Sequence, residues 1–266
     1  MRNTVRLAHI SKRINKKRNQ LDNQSKINNL KFTVTMIQVN QLSKTYNGTT
    51  VLNISDLEIP KGQSFGLVGN NGAGKTTFFS LLLDLIQPST GHIKSNDIQV
   101  NTSENWKSFT GSFLDENFLI GYLTPEEYFY FIGDLRNQNK ADIDALLAKH
   151  EEFFNGEILK NKKYLRDLSK GNQKKVGIIA TLIGNPEVVI LDEPFANLDP
   201  TTVSRLKKII RELADDPNVT VLVSSHDLQH TVEVCDRIVA LNKGEIVKDI
   251  QTSKETLQEL ELFFAV

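Results

Sequence analysis

Short apolar runs set the outline of this chain. Val188-Val189-Ile190-Leu191 shows no alternation with polar residues, and Ser64-Phe65-Gly66-Leu67-Val68, Val219-Thr220-Val221-Leu222-Val223 and Ile238-Val239-Ala240-Leu241 are nearly as continuous. Continuous apolarity over so few residues predicts strands buried on both faces, as in a parallel sheet. Central strands are therefore expected near 63–68, 187–192, 219–225 and 237–241. Strands near 37–42 and 52–59 are expected to form a flanking antiparallel sheet. Asn242-Lys243-Gly244-Glu245 reads as a hairpin turn between 238–241 and 246–247. Elsewhere the spacing is helical. Val176, Ile179, Ala180 and Ile183 recur on one face, with Ser169 as the N-cap ahead of them. Thr124-Pro125-Glu126-Glu127 is a second helix start, with proline at its first position. Residues 141–154 continue in helical spacing, and 255–262 predict a short terminal helix. Of the aromatics Phe118, Tyr122, Tyr128, Phe129, Tyr130 and Phe131, most are expected in a core. Strands alternating with helices make the fold class α/β. No internal repeat is visible.

Composition adds bounds. At 266 residues, with 39% apolar and 24% charged, the chain is long enough for one large domain with its own core. No apolar run approaches the roughly 20 residues of a membrane-spanning helix. The single cysteine, Cys235, forms no internal disulfide and reads as a small buried filler. The net charge of zero hides an imbalance: residues 1–35 carry nine Lys or Arg against one Asp, Asp22. This basic segment is poor in large apolar residues, so it is expected to be a disordered tail or a mis-called start ahead of Met36. The folded domain is expected over 36–266.

The chemistry begins at Gly69-Asn70-Asn71-Gly72-Ala73-Gly74-Lys75-Thr76-Thr77. A strand precedes this run and the apolar helix Phe78-Phe79-Ser80-Leu81-Leu82-Leu83 follows it, which is the layout of a phosphate-binding P-loop. Glycines let backbone N–H groups close around phosphate oxygens, and the helix start adds its positive dipole end. Lys75 supplies a point charge near the β- and γ-phosphates, and Thr76 a hydroxyl for Mg²⁺.

A second set of groups is expected at the same sheet edge. The run 188–191 ends in Asp192-Glu193-Pro194. Carboxylates at the end of a central parallel strand stand where ligands bind in open α/β folds. Asp192 is the candidate Mg²⁺ ligand opposite Thr76, and Glu193 the candidate base for an attacking water. The strand 219–225 delivers His226, 33 residues past Glu193, as a donor to a transferring phosphoryl group.

In order and spacing these pieces resemble the nucleotide-binding domain of ATP-binding-cassette proteins over about residues 36–250. Tyr46, 23 residues before Gly69, matches the aromatic that stacks on adenine in that family. Leu168-Ser169-Lys170-Gly171-Asn172 matches its signature, with Lys170 where glycine is commonest. Asn197-Leu198-Asp199 matches the loop after the strand-end carboxylates, and His226 the switch histidine. Asp115 falls where the family usually has glutamine, as in some export-type cassettes; Glu116 is the neighbouring alternative. The resemblance implies a P-loop NTPase core with a flanking antiparallel β-subdomain and a helical subdomain at about 116–185. It implies ATP and Mg²⁺ as ligands, with Thr76, Asp192 and Asp115 at the metal. Two cassettes would pack head to tail, with ATP between the P-loop of one and Ser169, Lys170 and Gly171 of the other, in a pair of identical chains. The partner would be a separate transmembrane permease, received in the cleft of the helical subdomain at the cytoplasmic face of the membrane. No direct contact with nucleic acid is expected. The Ser-Lys-Gly signature, Asp115 and the short stretch after Asp249 resemble exporters more than importers. The alternative is a soluble cassette ATPase acting on DNA or ribosomes, which the basic residues 1–35 alone would favour.

Overall fold

Two sheets share the work of building the core. In the computed structural model, which describes residues 34–160 and 162–264, the first sheet has the order β2-β1-β4-β5. Its strands are β1 (Thr35–Tyr46), β2 (Thr49–Pro60), β4 (Thr90–Ser95) and β5 (Ile98–Gln99), paired antiparallel throughout. The second sheet has the order β10-β9-β3-β8-β7-β6. It comprises β3 (Ser64–Val68), β6 (Thr110–Phe113), β7 (Val188–Leu191), β8 (Thr220–Ser225), β9 (Arg237–Asn242) and β10 (Glu245–Gln251). All neighbours there are parallel except β10 against β9. The predicted basic segment lies outside the described residues up to 33. The first strand starts at Thr35, one residue ahead of the expected boundary, and the described residues from Thr35 onward form one compact unit.

The continuous apolar runs are buried as expected: every residue of β3, β7 and β8 is buried. Side-chain alternation then splits them between two cores. Phe65, Leu67, Val188, Ile190, Leu222, Val239 and Leu241 point toward the antiparallel sheet and α1 (Lys75–Leu82), where Ile37, Leu52 and Phe78 meet them. Val68, Val189, Leu191, Val221, Val223, Ile238 and Ala240 face the opposite layer. That layer contains α5 (Lys170–Ala180), α6 (Pro200–Ala214) and α7 (Leu228–Val234). Each fully buried Val, Leu or Ile contributes about 1.5–3 kcal/mol relative to exposure, so the sheet is fixed from both sides.

Local signals act where the sequence put them. The β9–β10 hairpin turns at Lys243 (φ 48°) and Gly244 (φ 82°), the left-handed pair that a two-residue turn of this twist demands. α2 (Pro125–Leu135) opens with a capping box: Thr124 accepts from the Glu127 N–H, and the Glu127 carboxylate accepts from the Thr124 N–H at 2.8 Å. α3 (Lys140–Lys149) and α4 (Glu151–Phe154) follow, and α8 (Thr256–Phe264) ends the described chain. The aromatics divide differently from the expectation. Tyr128 and Phe129 are core, but Phe118, Tyr122 and Phe131 are 64%, 73% and 41% exposed. Phe118 lies in the turn ahead of α2, and Phe131 lies on α2 but among its residues that are not buried.

Register decides where the loops meet. Val68 of β3 pairs with Ser225 of β8 and with Ala240 of β9. Leu191 of β7 pairs with Val223 of β8 and with Phe113 of β6. The segments that follow these strands, starting at Gly69, Leu114, Asp192 and His226, therefore emerge at one edge of the sheet.

Candidate functional site

The loop from Gly69 leads into α1 through Gly74, whose φ of 108° suits only glycine among common residues. Ala73 N–H donates to Asn70 O at 3.0 Å and closes the turn. Lys75 starts α1 with its side chain folded back: Nζ donates to Gly69 O at 2.7 Å and is 6% exposed. The lysine is thus held along the loop that carries it.

Two chains of contacts cross above the strand ends. In the first, Thr76 Oγ1 donates to Asp192 Oδ2 at 2.6 Å, and Ser224 Oγ donates to Asp192 Oδ1. Burial pushes the Asp192 carboxyl up, and the hydrogen bonds from Ser224 and Thr76 partly restore the anion. In the second, Lys75 Nζ lies 3.2 Å from Glu193 Oε1, while His226 Nδ1 lies 2.8 Å from Glu193 Oε2. Glu193 is therefore held between a cation and an imidazole.

Glu193 itself has φ 45°, a left-handed conformation for a residue with a Cβ, at a cost of about 1–2 kcal/mol. Both of its backbone ends are gripped. Its N–H donates to Ser224 Oγ at 3.0 Å. Its carbonyl accepts from Lys174 Nζ at 2.8 Å, and the same ammonium donates to Ala196 O at 3.0 Å. Glu116 Oε1 stands 3.7 Å from Lys174 Nζ. Burial lowers the Lys174 amine, and the charges of Glu116 and Glu193 oppose that shift.

A cavity of about 340 Å³ opens beside these groups, lined by Tyr46, Asn71, Gly72, Ala73, Gly74, Lys75, Thr76, Thr77 and Glu193. Tyr46 reaches it from the end of β1, 47% exposed. Of the residues singled out from the sequence, the structure unites Tyr46, the loop 69–77, Asp192, Glu193 and His226. It does not bring in the others. Asp115 Oδ1 accepts from the Asn117 N–H at 2.7 Å, capping its own turn, and neither it nor Glu116 lines this cavity. Ser169 caps α5 by accepting from the Asn172 N–H at 3.2 Å. Ser169 and Lys170 are exposed, Gly171 is half-buried, and none of the three lines the cavity. Lys174 and the structural role of Ser224 were missed. The available signal was two adjacent lysines, Lys174 and Lys175, on the apolar side of a helix, and both are buried, at 5% and 4% exposure.

The donor set fits a hard divalent cation in part. Thr76 and Asp192 offer oxygen to Mg²⁺, yet no group of three or more His, Cys, Asp or Glu among the described residues is arranged to hold a metal by itself. A cation held there by Thr76 and Asp192 would need further oxygen ligands from a bound anion or water, as Mg²⁺ commonly does.

Comparison with known proteins agrees with this arrangement. The family model described as ABC transporter matches residues 52–196. The ABC transporter ATP-binding protein YhaQ of Bacillus subtilis is 35% identical over 212 residues, covering 80% of this chain and 70% of that one. The bacitracin transport ATP-binding protein BcrA of Enterococcus faecalis is 30% identical over 226 residues, covering 82% and 70%. The methionine import ATP-binding protein MetN of Carboxydothermus hydrogenoformans is similar at 26% identity, covering 80% and 66%. Among solved structures, the dimeric post-hydrolysis state of the ATP-binding cassette MJ0796 with ADP and Pi superposes with a TM-score of 0.73 at 21% identity, covering 82% of this chain and 99% of that one.

Proposed function

The chain belongs to the ABC transporter family as an ATP-binding subunit that hydrolyses ATP, and on that premise we propose that it drives export through a separate membrane-spanning permease, two copies closing around each nucleotide. The observation that carries the reading is the meeting of Thr76–Asp192 and Lys75–Glu193–His226 beside one cavity that also reaches Tyr46.

ATP is the substrate. Tyr46 offers its ring to the adenine, and the N–H groups of residues 69–77 take the phosphates at the start of α1. Lys75 balances charge on the β- and γ-phosphates. Thr76 and Asp192 would hold Mg²⁺, which when bound neutralises charge building on those oxygens. Glu193 accepts a proton from water as the water oxygen bonds to the γ-phosphorus. The bond from that phosphorus to the bridging oxygen breaks, and its electrons leave with ADP, giving inorganic phosphate. His226 keeps the Glu193 carboxylate aimed and donates toward the transferring group.

The signature residues support a composite site. Ser169, Lys170 and Gly171 stand at the start of α5 and away from the chain's own P-loop cavity. In a head-to-tail pair they would meet the γ-phosphate held by the other copy, so nucleotide becomes the glue. A groove of about 390 Å³ lined by Leu83, Phe113, Phe118, Tyr128, Leu135 and Arg136, among others, suits the docking of a permease helix. No helix among the described residues is long and apolar enough to cross a membrane, and the permease would hold the chain at the cytoplasmic face. The export direction rests on the Ser-Lys-Gly signature and on Asp115, which enters as a coupling residue: Asp115→Gln should alter coupling more than ATP affinity.

Glu193→Gln tests the core of the proposal. ATP binding should persist, turnover should fall by about 10²–10⁴-fold, and light scattering should find a trapped dimer. Turnover at the parent rate, or a strict monomer at saturating ATP with no companion cassette able to restore pairing, refutes it. Pull-down from detergent extracts tests the partner: a stoichiometric polytopic protein supports transport, and nuclease-sensitive nucleic acid supports the DNA or ribosome alternative.

A further inference from the structure

One buried ammonium joins three segments that are far apart in sequence. Lys174 lies on α5, five residues after the capping Ser169. Its Nζ donates to Glu193 O at 2.8 Å and to Ala196 O at 3.0 Å. It also faces Glu116 Oε1 at 3.7 Å, a carboxylate only 13% exposed, in the turn that leaves β6. The residue it grips is the strained one. Glu193 sits at φ 45°, and such a conformation persists only where the surroundings over-determine it. Ser224 fixes the N–H side of Glu193, and Lys174 fixes the carbonyl side.

From this we infer that Lys174 is a positioning residue that sets the aim of the Glu193 carboxylate and ties it to the motion of α5 and of the Asp115-Glu116 turn. The inference rests on the reading of Glu193 as the base. A lysine is suited to the task because one ammonium has three donors, enough for two carbonyls and one carboxylate. A shift of α5, whose first residue meets the second copy's nucleotide in the proposed pair, moves Nζ with it. The Glu193 turn then loses one of its two anchors. The same applies to a shift of the turn after β6, which borders the groove through Leu114 and Phe118. Both the pairing surface and the docking groove thus reach the hydrolytic carboxylate through a single side chain. A neutral or shorter residue at 174 would leave the largely enclosed Glu116 carboxylate without this cation and free the turn.

The test separates positioning from folding. Lys174→Met should lower kcat by about ten- to a hundred-fold while KM and the Kd for ATP change less than about three-fold. Lys174→Arg, which keeps donors and charge, should restore a measurable part of that loss. The double variant Lys174→Met, Glu193→Gln should still trap an ATP dimer, because pairing does not need the aimed base. If Lys174→Met fails to fold, Glu116→Gln carries the test, with kcat expected to fall about three- to ten-fold at unchanged ATP affinity. A parental kcat in Lys174→Met, or in Glu116→Gln where only that variant folds, overturns the inference. So does loss of the trapped dimer in a folded double variant, since that places Lys174 in pairing rather than in aim. Failure of the base assignment shows separately, as parental turnover in Glu193→Gln alone.

Discussion

Tyr46 is an exposed residue at the rim of the proposed nucleotide cavity, and its contribution can be separated from the rest. Its ring is 47% exposed, and Lys44 Nζ stands 4.7 Å from the ring centroid. No hydrogen bond from the phenol is seen among the described residues, so in the proposed scheme its use to a nucleotide is the face of the ring. Stacking of a base on such a face is worth about 1–2 kcal/mol, or about five- to thirty-fold in Kd. Tyr46→Ala should weaken ATP binding by that factor and leave tripolyphosphate binding unchanged, whereas Tyr46→Phe should keep the parent affinity for both. Calorimetry with the two ligands checks this, and an equal loss for both would assign Tyr46 to the loop's structure instead. At this scale the sequence was readable wherever chemistry follows a strand end. Lys75, Asp192, Glu193 and His226 come to one edge because parallel register puts the ends of β3, β7 and β8 there. Lys174 left only the faint signal of a lysine on the apolar side of a helix, and its partners left none. Its ammonium donates to the carbonyls of Glu193 and Ala196, and no residue type marks a carbonyl that will accept from it. Asp115 has a local bond that sequence position does not reveal. Family position points it at the metal; a short polar side chain beside a turn also bonds local N–H groups, and here Asp115 accepts from the Asn117 N–H.

Among the elements, α5 carries the tightest constraint. It packs on β6 at glycines from both sides. A Cβ on Gly177 would stand 2.2 Å from the Phe113 ring, and one on Gly111 would stand 2.0 Å from Thr181 O. Helix and strand therefore approach as closely as their backbones allow. Gly177→Ala should destabilise the fold by about 1–3 kcal/mol through overpacking, despite the better helix propensity of alanine. Urea denaturation measures it. A change within ±0.5 kcal/mol would mean that Phe113 can turn aside, and that α5 is free to slide on β6. The same contact explains which elements the pattern of apolar residues revealed. β3, β7 and β8 are runs of buried side chains and were legible. β6 is Thr110-Gly111-Ser112-Phe113, and β4 is Thr90-Gly91-His92-Ile93-Lys94-Ser95. Glycine and polar residues hide both. β6 needs Gly111 so that α5 can approach, and β4 is an antiparallel strand with only Ile93 and Ser95 buried. Their sheet positions are set by tertiary packing rather than by their own periodicity.

At the level of the whole molecule, the proposed nucleotide cavity is bordered by the chain's own loop while the signature residues do not line it, so in the proposed scheme ligand and second copy should stabilise the fold together. Saturating ATP at about 100 times its Kd contributes about 2.7 kcal/mol to a folded monomer, independent of protein concentration. Pairing adds a contribution that grows with protein concentration, about 0.7 kcal/mol per protomer for each ten-fold increase. For a domain of this size that is about 1–3 °C in Tm per decade. Glu193→Gln with saturating ATP and Mg²⁺ should therefore show a Tm that climbs with protein concentration. The same variant without nucleotide should show a flat one, and adding Ser169→Arg should flatten the ATP series while leaving the monomer's ligand shift in place. That last arm matters most, because it asks Ser169 for an effect on the other copy's nucleotide and not on its own. A Tm in ATP that is independent of protein concentration would mean that each cavity is complete within one chain, and the exposed start of α5 would then need a different purpose.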